Sequence, residues 1–395
     1  MRPRWIKLAL AASILLAGCK GFWTPPASSS GSGSTTASSG NIYVLNAATN
    51  QVAGYNVSAG ALTALPGSPY TVPTTPLAIA IAPSGSFLYV STSEGIYLYS
   101  VSSTGQLALS NASAPISADQ AISMQVSPDN SWLLEVASGA NFVYAISINS
   151  STGVLASKNE VEQFATLPAS TVQQVAIAPD ETYVFVAMGS EGTALIPFTS
   201  ANTDPLGAVR RLPTVNSAGA AISVAVDPVV SGQTAPRLFY VGETAAVSGS
   251  NSGALRAFEF STLSASSVTE ISGSPFASQG LAPYSILPLA SGNYVYTVNR
   301  QVSGSSTGVI AGFTIGSTST AYTLTALGSA FTTGTNPVAL AEDSTGNFVF
   351  TVDFGGSPDL KGYTFDSTKA GYLDAAISAD TGTDPVEASG IVAAP

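Results

Sequence analysis

The chain has 395 residues, 45% of them hydrophobic, with 12 basic and 23 acidic side chains, one cysteine and no histidine. A formal charge of −11 argues against nucleic acid and an anionic membrane surface as partners. With its one cysteine at position 19 and no histidine, the rest of the chain has no disulfide, no thiolate metal site and no imidazole base.

The chain opens with Arg2, Arg4 and Lys7, followed by an apolar run from Leu8 to Ala17 broken only by Ser13. This is the charged region and apolar region of a secretory signal. The run is too short to cross a bilayer as a helix, which takes about 20 apolar residues. It ends in Leu16-Ala17-Gly18-Cys19, which resembles the bacterial lipobox. That resemblance implies cleavage before Cys19 and lipid on its thiol; the plainer alternative is an ordinary secretory signal with a stray cysteine. Cleavage would take the formal charge from −11 to −14, since Arg2, Arg4 and Lys7 leave with the signal. Residues 20–40 are dominated by Ser, Gly, Thr and Pro, and bury too little apolar surface to fold, so they read as a flexible tether.

From residue 41 a unit recurs. Pro76 to Leu107 shows it: an apolar run, a Pro-Ser-Gly turn, a second apolar run, a third strand and a Gly-containing hairpin. First runs fall at Leu77–Ala82, Ala121–Ser127, Gln173–Ala178, Ala221–Asp227, Tyr284–Leu289 and Val338–Glu342. Second runs fall at Ile42–Asn46, Phe87–Thr92, Trp132–Ala137, Tyr183–Met188, Leu238–Gly242, Tyr294–Asn299 and Phe348–Asp353. The missing first run is at the far end of the chain, Val386–Ala394. The chain therefore starts on the second strand of one blade and finishes on the first strand of the same blade, which hides the terminal edges of a circular array. Seven repeats give about 51 residues each, close to the roughly 40–50 of propeller repeats. The predicted fold is all-β: a seven-bladed β-propeller over 41–395, behind a signal peptide (1–18) and a lipidated tether (19–40). Six or eight blades would follow from a miscounted unit.

Three segments carry a family resemblance: Ser58–Tyr70, Gly273-Ser274-Pro275-Phe276 and Tyr296-Thr297-Val298-Asn299-Arg300. They make the chain similar to lactonase-like and YVTN-type propellers, which include 6-phosphogluconolactonases, a carboxymuconate-cyclising enzyme and many envelope proteins. The resemblance implies an Asn-Arg pair closing the second strand of a late blade, here Asn299 and Arg300, and a Glu at the matching place one blade earlier, here Glu243. Glu243 would act as general base and Arg300 would hold a carboxylate or oxyanion, beside Asn299. The alternative is that Glu243 and Arg300 are solvated loop residues. The family's histidines are absent, and cations that would suit a sugar phosphate are few.

Other motifs are weaker. Gly304-Ser305-Ser306-Thr307-Gly308 fits G-x-S-x-G but sits in a Ser/Gly-rich loop with no histidine base in the chain. Asp353 with Asp359, and Asp380 with Asp384, offer oxygen ligands for calcium, though acidic turn residues are the commoner explanation. The expectation is therefore a monomeric, lipid-anchored envelope propeller. It needs no cofactor or metal and binds a protein, glycan or small molecule, with efficient lactone hydrolysis as the alternative.

Overall fold

The computed structural model describes residues 39–395 other than 111–113, 138, 157–162, 168–171, 246–252, 265–266, 302–304, 319–320 and 384–386. Residues 1–38, which carry the expected signal peptide, Cys19 and most of the expected tether, lie outside the described residues. Runs rich in Val, Ile, Tyr and Phe form antiparallel sheets, and the only helix among the described residues is a 3-10 turn at Phe260–Thr262.

Blade two shows the plan. Pro76–Ile81, Phe87–Thr92, Gly95–Val101 and Leu107–Leu109 pair in that order. Blades three, four and five repeat it. Blades six and seven join in one eight-stranded sheet, because Thr307–Ser317 of blade six also pairs with the start of the long strand Phe331–Glu342. The remainder of that strand is the first strand of blade seven. In blade one, Ser39–Asn46 pairs on one side with Gln51–Ser58 and on the other with Ala388–Ala393, the last strand of the chain. The ring closure read from the sequence is present, with the propeller beginning at Ser39.

The first strands form a closed ring. In order they are Pro76–Ile81, Ala121–Val126, Gln174–Ile177, Ala221–Val226, Pro283–Pro288, Phe331–Glu342 and Ala388–Ala393, each touching the next and the last touching the first. Seven blades therefore surround one channel. Each of the seven gaps between blades holds its own apolar cluster. In blade two, Leu88 and Val90 pack toward blade one, whereas Tyr89 packs toward blade three. This is why second strands are apolar on both faces, where a half-solvated sheet would alternate.

Buried hydroxyls make the gaps specific. Tyr43, Tyr89 and Tyr296 each donate to a glycine carbonyl in the next blade's outer hairpin: Gly105 (2.7 Å), Gly153 (2.8 Å) and Gly371 (2.6 Å). The Gly-Ser-Pro segments also acquire a physical role. The Ser68 and Ser274 hydroxyls accept the N–H groups of Gly54 (2.9 Å) and Ala257 (3.2 Å), third-strand donors at which the outer strand breaks off.

Candidate functional site at the channel mouth

The two ends of the propeller differ. First strands run into tight turns at one end; second strands finish at the other. At the turn end, Gly85, Asn130, Glu181, Gly292 and Gly346 take positive φ. Several turns bond to the next: the Ser84 N–H donates to Asn130 Oδ1 (2.9 Å), that of Asp129 to Glu181 Oε1 (2.7 Å), and that of Ala290 to Glu342 Oε2 (2.7 Å).

The opposite end is shaped by a repeated bulge. In six blades the pairing of first and second strands skips one residue: Leu77, Ile122, Ile222, Tyr284, Val338 or Ser389. All six line the channel, as does Gln173 at the corresponding place in blade four. A bulge re-aims a side chain out of the pleat, so this irregularity sets the mouth lining. The channel encloses about 690 Å³, within the usual range for small-molecule sites. Arg300 is the only charged side chain among its described lining residues.

Arg300 follows the second strand of blade six. Its guanidinium carbon lies 5.0 Å from the Tyr284 ring centroid and 5.6 Å from that of Phe354. The guanidinium makes no hydrogen bond or ion pair among the described residues. Aromatic faces on a cation orient it and leave its N–H fork free. Tyr284 is itself 37% exposed, so the cation stands at a wet opening.

Glu243 does not meet Arg300. It ends the second strand of blade five, 1% exposed, with Oε1 accepting from Arg256 Nη1 (2.7 Å) and Oε2 from the Val215 N–H (2.9 Å). Arg256 also grips Glu270 through Nε (3.0 Å) and Nη2 (2.8 Å), donates to the Pro213 carbonyl (2.8 Å) and stands 4.8 Å from the centre of the Phe258 ring. Burial works against the charges, but the Arg256 and Ser274 hydrogen bonds hold the Glu270 carboxyl below its ordinary value. Glu243 is therefore not a solvated loop residue but part of a buried ion-pair cluster.

Asn299 is likewise fully buried. Its Nδ2 donates to the Ser278 carbonyl (2.6 Å) and to Thr297 Oγ1 (3.3 Å). The same register position carries Asn46, Thr92 and Asp353 in other blades. Asn46 bonds Thr381, Thr92 Oγ1 donates to the Gly95 carbonyl (2.9 Å), and Asp353 accepts from Thr333 (3.0 Å) with Lys361 Nζ at 3.3 Å. These second-strand ends are pegs that fix the adjoining loops.

The other sequence candidates are accounted for locally. Asp359 accepts the N–H of Thr381 (2.8 Å) and its hydroxyl, and Asp380 accepts from Ser357 (2.6 Å). No group of three potential metal ligands occurs among the described residues. Asp384 and Gly304 lie outside them; Ser305 caps the Thr307 N–H (3.0 Å) ahead of a strand, where a nucleophile elbow needs a helix. Sequence reasoning missed Arg256, Tyr284 and Phe354. Arg256 sits diagonally across from Glu243, in register with Val241, a pairing that the sequence between the two strands does not announce.

Comparison with known proteins agrees with the fold. Residues 35–167 match the family described as "Lactonase, 7-bladed beta-propeller". No curated protein matches the chain. Among solved structures, the periplasmic gluconolactonase of Pseudomonas aeruginosa is 16% identical, with TM-score 0.65 over 91% of this chain and 99% of that one. A 6-phosphogluconolactonase candidate from Bacteroides uniformis is 14% identical, with TM-score 0.67 over 90% and 99%. A functionally unknown protein from Desulfotomaculum acetoxidans is 12% identical, with TM-score 0.61 over 90% and 99%. At these identities the structural likeness is one of fold. The chain is a seven-bladed β-propeller, similar over residues 35–167 to the lactonase propellers.

Proposed function

We propose that the protein is an envelope-anchored binding propeller, held by lipid on Cys19, whose channel mouth takes a small organic anion without hydrolysing it efficiently. One observation carries the reading: the cation free to meet a ligand, Arg300, has no carboxylate beside it in the channel, while Glu243 is committed to Arg256. Hydrolysis of a lactone needs an activated water as well as a stabilised oxyanion, each typically worth several kcal/mol of barrier. A lone guanidinium serves the second need and leaves the first unmet. One fork-shaped cation suits a carboxylate better than a phosphate dianion. The test uses the purified protein. Hydrolysis of 6-phosphogluconolactone and of simple γ- and δ-lactones is expected at the spontaneous rate, and heptanoate is expected to bind in a manner abolished by Arg300→Ala. For the anchor, metabolic labelling with a tagged fatty acid should mark the wild type and not Cys19→Ser; equal labelling would sink it.

The second reading, a lactonase, draws support from the family match over 35–167 and from solved neighbours named for gluconolactone chemistry. It replaces the first if hydrolysis clearly exceeds the spontaneous rate and Glu243→Gln and Arg300→Ala each remove it.

A further inference from the structure

The first strands have a free edge facing the channel, and the backbone N–H groups along that edge need acceptors. Blades three and four supply them from side chains. Gln125 Oε1 accepts the N–H of Ile177 in the next blade (2.9 Å), and Gln174 Oε1 accepts that of Val224 (2.9 Å). A backbone N–H only donates, so each carboxamide must turn its oxygen to the neighbouring strand. Its Nε2, with two hydrogens, is then directed away from that strand. Both glutamines line the channel, and neither Nε2 has an acceptor among the described residues. Ser123 and Ser285 accept from Val175 (3.1 Å) and Leu340 (3.2 Å) in the same way, but each retains only one hydroxyl hydrogen close to the strand, where the longer glutamines project an amide with two.

We infer that Gln125 and Gln174 are specificity residues: their fixed Nε2 donors read a neutral oxygen, a carbonyl above all, on the ligand whose carboxylate sits at Arg300. This rests on the Arg300 reading and deepens it. The two donors stand on blades three and four, and the cation on blade six, so the ligand class is an extended carboxylate with a distant carbonyl. Its body can carry methylene groups, because Leu77, Ile122, Ile222 and Val338 are among the side chains that line the channel. Clamping each amide through its oxygen removes rotamer freedom before binding, which reduces the ordering cost of the contact.

The probes are straight-chain carboxylates from hexanoate to dodecanoate, each with and without a ketone next to the chain end. Calorimetry on the full protein is expected to show, at the length that spans the channel, a ketone preference of roughly tenfold, the value of one or two well-placed hydrogen bonds. Gln125→Glu and Gln174→Glu keep an oxygen for the backbone N–H and replace the donor with an acceptor. They should keep the wild-type melting temperature and lose the preference, whatever the added charge does to both members of a pair. If the saturated acids bind through Arg300 but no length shows a ketone preference, or the preference survives both substitutions, the inference is overturned while the Arg300 reading stands. If Arg300→Ala binds the whole series like wild type, the Arg300 reading falls and the two-point ligand falls with it.

Discussion

The second-strand ends and the channel lining both carry polar side chains, yet they do opposite things. Asn46, Thr92, Glu243, Asn299 and Asp353 are buried, and each is tied to a neighbouring loop. Arg300, Gln125 and Gln174 stand in the channel with donors unspent. Position at the end of a second strand therefore does not mark a working residue here; spare hydrogen-bonding capacity at a wet surface does. Buried polar groups must be paired or they cost stability, so the pairing of Glu243 is what allows it to be inside at all.

The sharpest break removes the frame that holds both sets. Deleting 386–395 strips the first strand from blade one, and with it Ala388 and Ile391 from one gap and Val392 and Ala394 from the next. A loss on the order of 5 kcal/mol or more is expected from the apolar burial and ladder bonds removed. Calorimetry reads it, and an unchanged melting temperature would refute the closure.

Next comes the buried set alone. Arg256→Met leaves Glu243 without its ion pair in a site closed to water. Removing one partner of such a pair costs about 3–5 kcal/mol. Urea denaturation should show the loss, and a shift within 1 kcal/mol, roughly the value of an exposed pair, would mean that the cluster is solvated.

A third test asks whether pairing is complete everywhere. Asp227, in blade five, is fully buried; Tyr240 donates to it (2.8 Å) and Arg237 Nε lies 3.3 Å away. Burial outweighs both partners and pushes its carboxyl up to about 6. A raised folded value means that protonation favours the fold. The contribution is fully present below the unfolded value near 4 and is lost as pH rises through 6, a change of about 3 kcal/mol. Relative to Asp227→Asn, the wild type should lose stability between pH 4 and pH 7; a constant difference would show that Asp227 does not titrate there.

The smallest effect belongs to the channel. Arg300→Ala should change stability by no more than about 1 kcal/mol, the value of a cation–π contact at an open site. A larger loss would move Arg300 into the buried, committed set.

The blades were legible in the sequence because each strand pair brings its own turn residues, such as Ser84-Gly85, and because both faces of runs such as Leu88-Tyr89-Val90 are apolar. The mouth was not legible. A bulge skips one residue without a compositional mark, so nothing in the run around Leu77 or Ile222 says which side chain reaches the channel. Arg300 was found through the motif that ends the blade-six strand, whereas Glu243 was found with no sign of Arg256, which pairs with it only once the register is known. Gln125 and Gln174 did leave a trace, as long polar residues in first strands that are mostly apolar.

The direction of the first described strand has a consequence for access. Ser39–Asn46 is a second strand, so it runs from the turn end toward the mouth; Gly40 lies against Ser344 in the blade-seven turn, and Pro395 lies against Gly85 in the blade-two turn. Both ends of the propeller's chain are thus at the turn face. A reporter fused after Pro395 would therefore leave from the turn face, at the far end of the channel from the opening that holds Arg300.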